Sequence, residues 1–193
     1  MINAFSLLIL PTKWFCVMGG FSYFNGTLQG FLSYIKGMSN NSLVKIRLVS
    51  VSPESLTILS SVGVNGSYYH VLDSFAVKHI LHRHGGKREL LRGQTPITEI
   101  DFHLISYIVV NYDSLTLGLC PNGNKAAIYI KDFGNETFTL IEEIRPGHSE
   151  LATSTLYKRK RKLTDAKSPD DSADSGFASL SERKLFPRHK GKQ

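Results

Sequence analysis

The sequence predicts an α+β fold in which helical segments precede a four-stranded antiparallel sheet. Three observations predict it. Apolar residues recur at helical spacing from Asp73 to His84 and again from Thr98 to Asn111. The period then falls to two between Leu115 and Lys158. Short turns divide that stretch into four runs, and short connections force antiparallel neighbours.

Residues 1–40 read as an N-terminal extension. Met1–Phe24 is rich in Phe, Leu and Ile, but no positive charge precedes the apolar run, and Pro11 and Lys13 interrupt it. Neither a secretion signal nor a membrane span is expected from that pattern. Met38, followed by the polar run Ser39-Asn40-Asn41-Ser42, offers an alternative start. Residues 43–50 alternate as a strand, and 55–59 and 68–72 read as two more short strands around an Asn65-Gly66 turn. A short β-rich part therefore precedes the first strong helix.

Asp73 is placed to cap that helix, which runs through Phe75, Val77, Ile80 and Leu81 to His84 and ends at Gly85-Gly86. Lys87–Pro96 reads as a polar, basic loop. Thr98 then serves as N-cap with Asp101 at N3, and Ile97 and Phe102 flank it as a hydrophobic staple. Strands follow over 115–119, 126–133, 136–144 and 151–158. Their turns are Pro121–Asn124, Gly134-Asn135 and Arg145-Pro146-Gly147. The predicted organisation is an extension over 1–40, a folded domain over 41–160 and a disordered basic tail over 161–193.

The chain has 193 residues, 41% hydrophobic and 20% charged, which excludes a wholly disordered or fibrous protein. Its net charge of +7 sits mainly in the tail: residues 1–150 hold 12 basic and 11 acidic side chains, and 151–193 hold 11 and 5. The folded part is nearly neutral, so net charge alone assigns it no nucleic-acid partner. The two cysteines, Cys16 and Cys120, form neither a disulfide framework nor a zinc motif. A reducing, cytoplasmic setting is expected, and the Asn-x-Ser/Thr matches at Asn25, Asn40, Asn65 and Asn135 then carry no weight.

Two constellations carry chemistry. The first is His79, His82, Arg83 and His84 in KHILHRHGGKR. His79 and Arg83 share a helix face, and imidazoles among cations suit a phosphodiester. The spacing offers a metal the imidazoles, but no Cys or carboxylate joins them at a recognised spacing. Helix-end or surface histidine is the plainer alternative. The second constellation lies on the sheet. Period two places Ala127, Tyr129 and Lys131 on one face of their strand, and Leu151, Thr153, Thr155 and Tyr157 on one face of the last. Hydroxyls beside a lysine bind phosphate oxygens, although Thr and Tyr are also ordinary strand formers. Lys158–Lys162 is a run of five cations that reads as a phosphate-binding arm, a localisation signal or a solvated strand end.

In order, the strings His79-x4-His84-Gly85, Pro96-Ile97-Thr98-x2-Asp101-Phe102, Lys131 and Thr155-Leu156-Tyr157-Lys158 resemble the phage-associated nuclease domains of the barnase, EndoU, colicin and RelE-like superfamily. The resemblance covers roughly residues 70–160. It implies helices followed by a four-stranded antiparallel sheet, and a metal-independent endoribonuclease with no cofactor. It implies that His79 takes the 2′-hydroxyl proton while Lys131 and Arg83 stabilise the phosphate. Thr155 would orient a phosphate oxygen, and His84 or Tyr157 would assist the leaving 5′-oxygen. Thr153 and Lys158 are further candidates for holding substrate. The implied partners are an RNA substrate and, for a toxin delivered into a target cell, an immunity or antitoxin protein. No stable membrane association is expected. A non-catalytic RNA- or protein-binding module using the sheet face and the basic run, and a structural phage protein with a vestigial domain, are the competing expectations.

Overall fold

A computed structural model describes residues 15–18, 21–38 and 42–161. The predicted tail beyond Arg161, the start of the extension and the polar run Ser39–Asn41 lie outside the described residues.

The chain opens with the short strands β1 (Phe15–Met18) and β2 (Phe21–Phe24). Thr27 caps helix α1 (Leu28–Gly37) by accepting the Gly30 N–H, and Phe31, Leu32 and Ile35 form its buried stripe. Strand β3 (Val44–Ser50) follows. Residues 55–59 are not the predicted strand but part of helix α2 (Pro53–Leu59). Ser52 accepts the Ser55 N–H as N-cap, and Pro53 stands at the helix start, where its missing N–H costs nothing. Strand β4 (Tyr69–Asp73) runs straight into helix α3 (Ser74–His84), with Asp73 accepting the Ala76 N–H at 2.8 Å.

The predicted basic loop contains a 3₁₀ segment, Lys87–Arg92. The predicted capping box is present: Thr98 N–H donates to Asp101 Oδ2 at 2.6 Å. It opens a 3₁₀ turn over Glu99–Leu104 that passes into helix α4 (Ile105–Val110). Four antiparallel strands complete the chain: β5 (Ser114–Leu119), β6 (Lys125–Asp132), β7 (Glu136–Arg145) and β8 (Glu150–Lys160). Gly134, at φ +88°, permits the tight β6–β7 turn.

The expected four-stranded antiparallel sheet is therefore one half of a larger, mixed sheet of eight strands in the order β1-β2-β3-β4-β8-β7-β6-β5. The added strands join through parallel pairing of β4 with β8 and of β2 with β3, and through antiparallel pairing of β3 with β4 and of β1 with β2. Parallel partners require distant connections, so no local turn signal in the sequence announces them.

The two faces of the β5–β8 half differ. Phe138, Leu140, Glu142 and Ile144 on β7 are buried, whereas the alternate residues Thr137, Thr139, Ile141, Glu143 and Arg145 are half-buried. Pairing puts Ala127, Tyr129 and Lys131 of β6 on the covered face, as the period predicts. There Phe102, Ile105, Ile108 and Val109 join Leu140, Leu151 and Leu156 in the core, and Tyr129 packs its ring on Tyr112. The opposite face is open.

On β8 the period slips. Ile141 pairs with Thr155 but Glu142 pairs with Thr153, so Ser154 is an extra residue, a β-bulge. Leu151 and Thr153 consequently face the covered side with Glu142, while Thr155 and Tyr157 face the open side with Ile141 and Thr139. The predicted common face of Leu151, Thr153, Thr155 and Tyr157 is corrected by that single residue.

Candidate active site

Helix α3 lies against β8 and brings the histidine string to the margin of the open face. The C-cap at position 85 must be glycine for a steric reason. A Cβ there would stand 2.4 Å from the Leu81 carbonyl oxygen and 3.2 Å from that of Ile97. The backbone approach is locked by the Ile97 N–H, which donates to the His84 carbonyl at 2.6 Å. His84 is thereby fixed at the C-terminal end of α3.

Its imidazole is held on two sides. The ring centroid lies 5.9 Å from that of Tyr157, and Nδ1 lies 2.9 Å from Glu89 Oε2. Glu89 is fully buried, while the His84 side chain retains 18% of its exposure. The other oxygen of Glu89 accepts from Arg92 Nη1 at 2.9 Å. A carboxylate at Nδ1 favours the tautomer that carries its proton there and leaves Nε2 as an acceptor. Next to Tyr157 on the same face, Thr155 Oγ1 is buried without a partner among the described residues. An imidazole with a buried carboxylate behind it, a phenol ring and an exposed arginine are thus held at one end of α3, with the enclosed Thr155 hydroxyl two residues before Tyr157 on the strand.

Sequence reasoning missed Glu89 and Arg92. The available signal was that Glu89 is the only acidic residue between Asp73 and Glu99, in a stretch holding five Lys and Arg. A lone carboxylate there is expected to have a cationic partner.

The other predicted residues are dispersed. His79 is exposed, one turn from Arg83, and lines a cleft near the start of α3 with Asp73, Arg145 and Ser154. Partial burial, helped by the nearby charges of Arg83, His84 and His82, lowers its pKa below the ordinary 6.5, so it is neutral at pH 7. Arg83 is exposed on the same helix.

Lys131 does not join His84. It faces the covered side by register and donates to Asp113 at 2.7 Å, opposite to the face of Thr155 and Tyr157. Thr153 is turned away by the bulge and is buried. Lys158 is also on the covered face. It is buried between Asp101 (2.9 Å) and Glu136 (3.4 Å), with Nζ 5.4 Å from the Phe138 ring centre. It ties the last strand to the start of the α4 segment and is not available to a phosphate. Among the described residues no group of three or more His, Cys, Asp or Glu side chains is arranged to hold a metal ion, and no helix is long and apolar enough to cross a membrane.

Residues 51–166 match the model of the family described as phage-Barnase-EndoU-ColicinE5/D-RelE like nuclease 3. The match spans more than half of the chain, from α2 past the end of β8, and includes every residue of the His84 cluster. The chain belongs to that family, and its domain is a nuclease domain. No curated protein and no solved structure matches it.

Proposed function

We propose that the protein is a metal-independent endoribonuclease that cleaves RNA by attack of the 2′-hydroxyl, with His84 as its general base. The observation that carries this reading is the His84–Glu89 pair, its acid buried and its imidazole partly exposed, set against Tyr157.

His84 Nε2 takes the proton of the ribose 2′-hydroxyl, and the freed oxygen attacks the adjacent phosphorus. Glu89 keeps the ring oriented and offsets the positive charge it gains. Thr155, expected from the resemblance to orient a phosphate oxygen, has its hydroxyl enclosed and takes no direct part. Arg92, 57% exposed beyond its bond to Glu89, supplies positive charge to the crowded phosphate, a part first given to Lys131. The bond to the 5′-oxygen breaks as that oxygen takes a proton from Tyr157. The products are a 2′,3′-cyclic phosphate and a free 5′-hydroxyl. The base assigned from the resemblance, His79, gives way to His84 because, of the two, His84 has a buried carboxylate behind it.

The test is incubation of the full chain with total RNA in excess EDTA, beside His84→Ala. Cleavage by the wild type alone, with cyclic phosphate ends, is the expected result. RNA that stays intact but bound would instead favour a non-catalytic binding module. Phage association supports a toxin or effector role, with an immunity or antitoxin protein as its partner.

A further inference from the structure

The cleft that His79 lines is an open depression of about 530 Å³. Its walls come from the first turns of α3 and from the ends of β7 and β8, with Phe75, Ala76, His79, Arg145, His148 and Ser154 among its residues. It is not needed for the chemistry at His84, and nothing in the core requires Phe75 to be where it is. The Phe75 side chain is 47% exposed, on the same helix face as His79 one turn later.

The charges of the cleft are already matched. Arg145 Nη2 donates to Glu143 Oε2 at 2.9 Å and its Nη1 lies 3.5 Å from Asp73 Oδ2. The second oxygen of Glu143 accepts from Asn122 and Asn124. Lys45 donates to Glu150 at 2.7 Å. A phosphate would find no surplus cation here. A flat, neutral ring with a hydrogen-bonding edge would find an exposed aromatic face, an imidazole and the Ser154 hydroxyl. His79 presents its neutral form at pH 7 and so adds no charge.

Position points to the same ligand. His84 lies five residues after His79, about 7.5 Å further along the helix axis and about 140° around it, so the two imidazoles bound the helix from different sides. Ser154 immediately precedes Thr155 on β8. The cleft is thus the next place along the α3–β8 margin for a single strand whose scissile phosphate sits at His84.

We propose that this cleft is a nucleobase subsite, in which Phe75 stacks the base of the nucleotide neighbouring the cleaved phosphate and His79 and Ser154 meet its edge. The inference rests on the nuclease reading of the His84 site, and extends it from chemistry to substrate selection.

The test uses the full chain and a labelled, mixed-sequence single strand of 2′-deoxynucleotides, which cannot be cleaved by 2′-hydroxyl attack. Binding is followed by fluorescence anisotropy at one fixed salt concentration. Loss of one stacked base predicts about a tenfold weaker Kd for Phe75→Ala. Phe75→Trp should restore wild-type binding and Phe75→Leu should not, because stacking needs a ring and not only an apolar side chain. Equal melting temperatures for all three variants exclude a folding defect as the cause. Binding that is unchanged in Phe75→Ala, or restored equally by Leu, overturns the subsite while leaving the His84 mechanism standing. Weakened binding in Phe75→Ala together with full cleavage by His84→Ala would keep the subsite and remove the mechanism. A wild type that neither binds the strand nor cleaves RNA overturns both.

Discussion

The described residues include two histidine–glutamate pairs, and their surroundings differ. On the covered face His70 Nδ1 lies 2.7 Å from Glu142 Oε2, both side chains at 1% exposure or less. At the margin of the open face His84 meets Glu89 at 2.9 Å with the acid buried and the imidazole partly exposed. In the first pair both partners are sealed. His70 Nε2 and Glu142 Oε1, and the hydroxyls of Tyr129 and Thr153, have no partner among the described residues. Burial, with Glu142 and Tyr112 close by, pushes the Tyr129 hydroxyl far above its ordinary pKa of 10, so it stays protonated. Such a cluster is where ordered water is expected, not substrate. What separates the two pairs is therefore access. A carboxylate hidden behind a reachable imidazole gives a base, whereas the same two groups enclosed together give a structural element.

That comparison can be broken by mutation, and the largest effect is expected at the open pair. His84→Ala should lower the cleavage rate by about 10²- to 10⁴-fold, the usual contribution of a general base, with little change in the urea midpoint. If the variant lost stability instead, His84 would be structural like His70. Glu142→Ala should do the reverse. Removing one partner of a buried pair costs about 3–5 kcal/mol, read as a lower unfolding free energy, while the folded fraction still cleaves. Glu89→Gln keeps a hydrogen-bonding atom at His84 but removes the charge, so cleavage should fall less than in His84→Ala and the fold should hold. Preserved activity in that variant would mean that Glu89 merely fills space.

The smallest effect is expected at Lys131, whose removal should leave cleavage unchanged. Its ion pair should matter only slightly to stability, and with a defined pH dependence. The Lys131 hydrogen bond, with the Asp132 backbone N–H, lowers the Asp113 pKa below its ordinary 3.8. A depressed carboxyl stabilises the fold above its unfolded pKa and loses that contribution as pH falls through the folded value. The difference in urea midpoint between wild type and Lys131→Ala should thus be present at pH 7 and vanish in strong acid. A difference that persists there would assign the effect to packing.

Much of this fold was legible because its signals are local. Asp73 and Gly85 bracket α3, Thr98 with Asp101 opens the α4 segment, and the β5–β8 turns stand in the sequence. The errors arose where local rules do not reach. Residues 55–59 were read by apolar content, and Ser52-Pro53, a helix start, was overlooked. The parallel β4–β8 pairing joins residues about 80 apart and leaves no local mark. The bulge at Ser154 reversed the faces of half a strand, since counting by twos cannot detect an extra residue. For the same reason the site was only half legible: His84 and Tyr157 meet, but Lys131 and Thr153 were assigned across a sheet that separates them.

The place of β8 has a consequence for how the enzyme comes into being. The last strand of the described chain lies in the middle of the sheet, between β4 and β7. A growing polypeptide that has been synthesised only to residue 149 already carries His84 and Glu89, yet it lacks Tyr157 and Thr155 and leaves β4 and β7 as two unpaired edges. Insertion of β8 closes both edges in one event and brings Tyr157 to the imidazole. Assembly of the sheet and completion of the candidate site are then the same step, so a chain terminated before β8 would lack it.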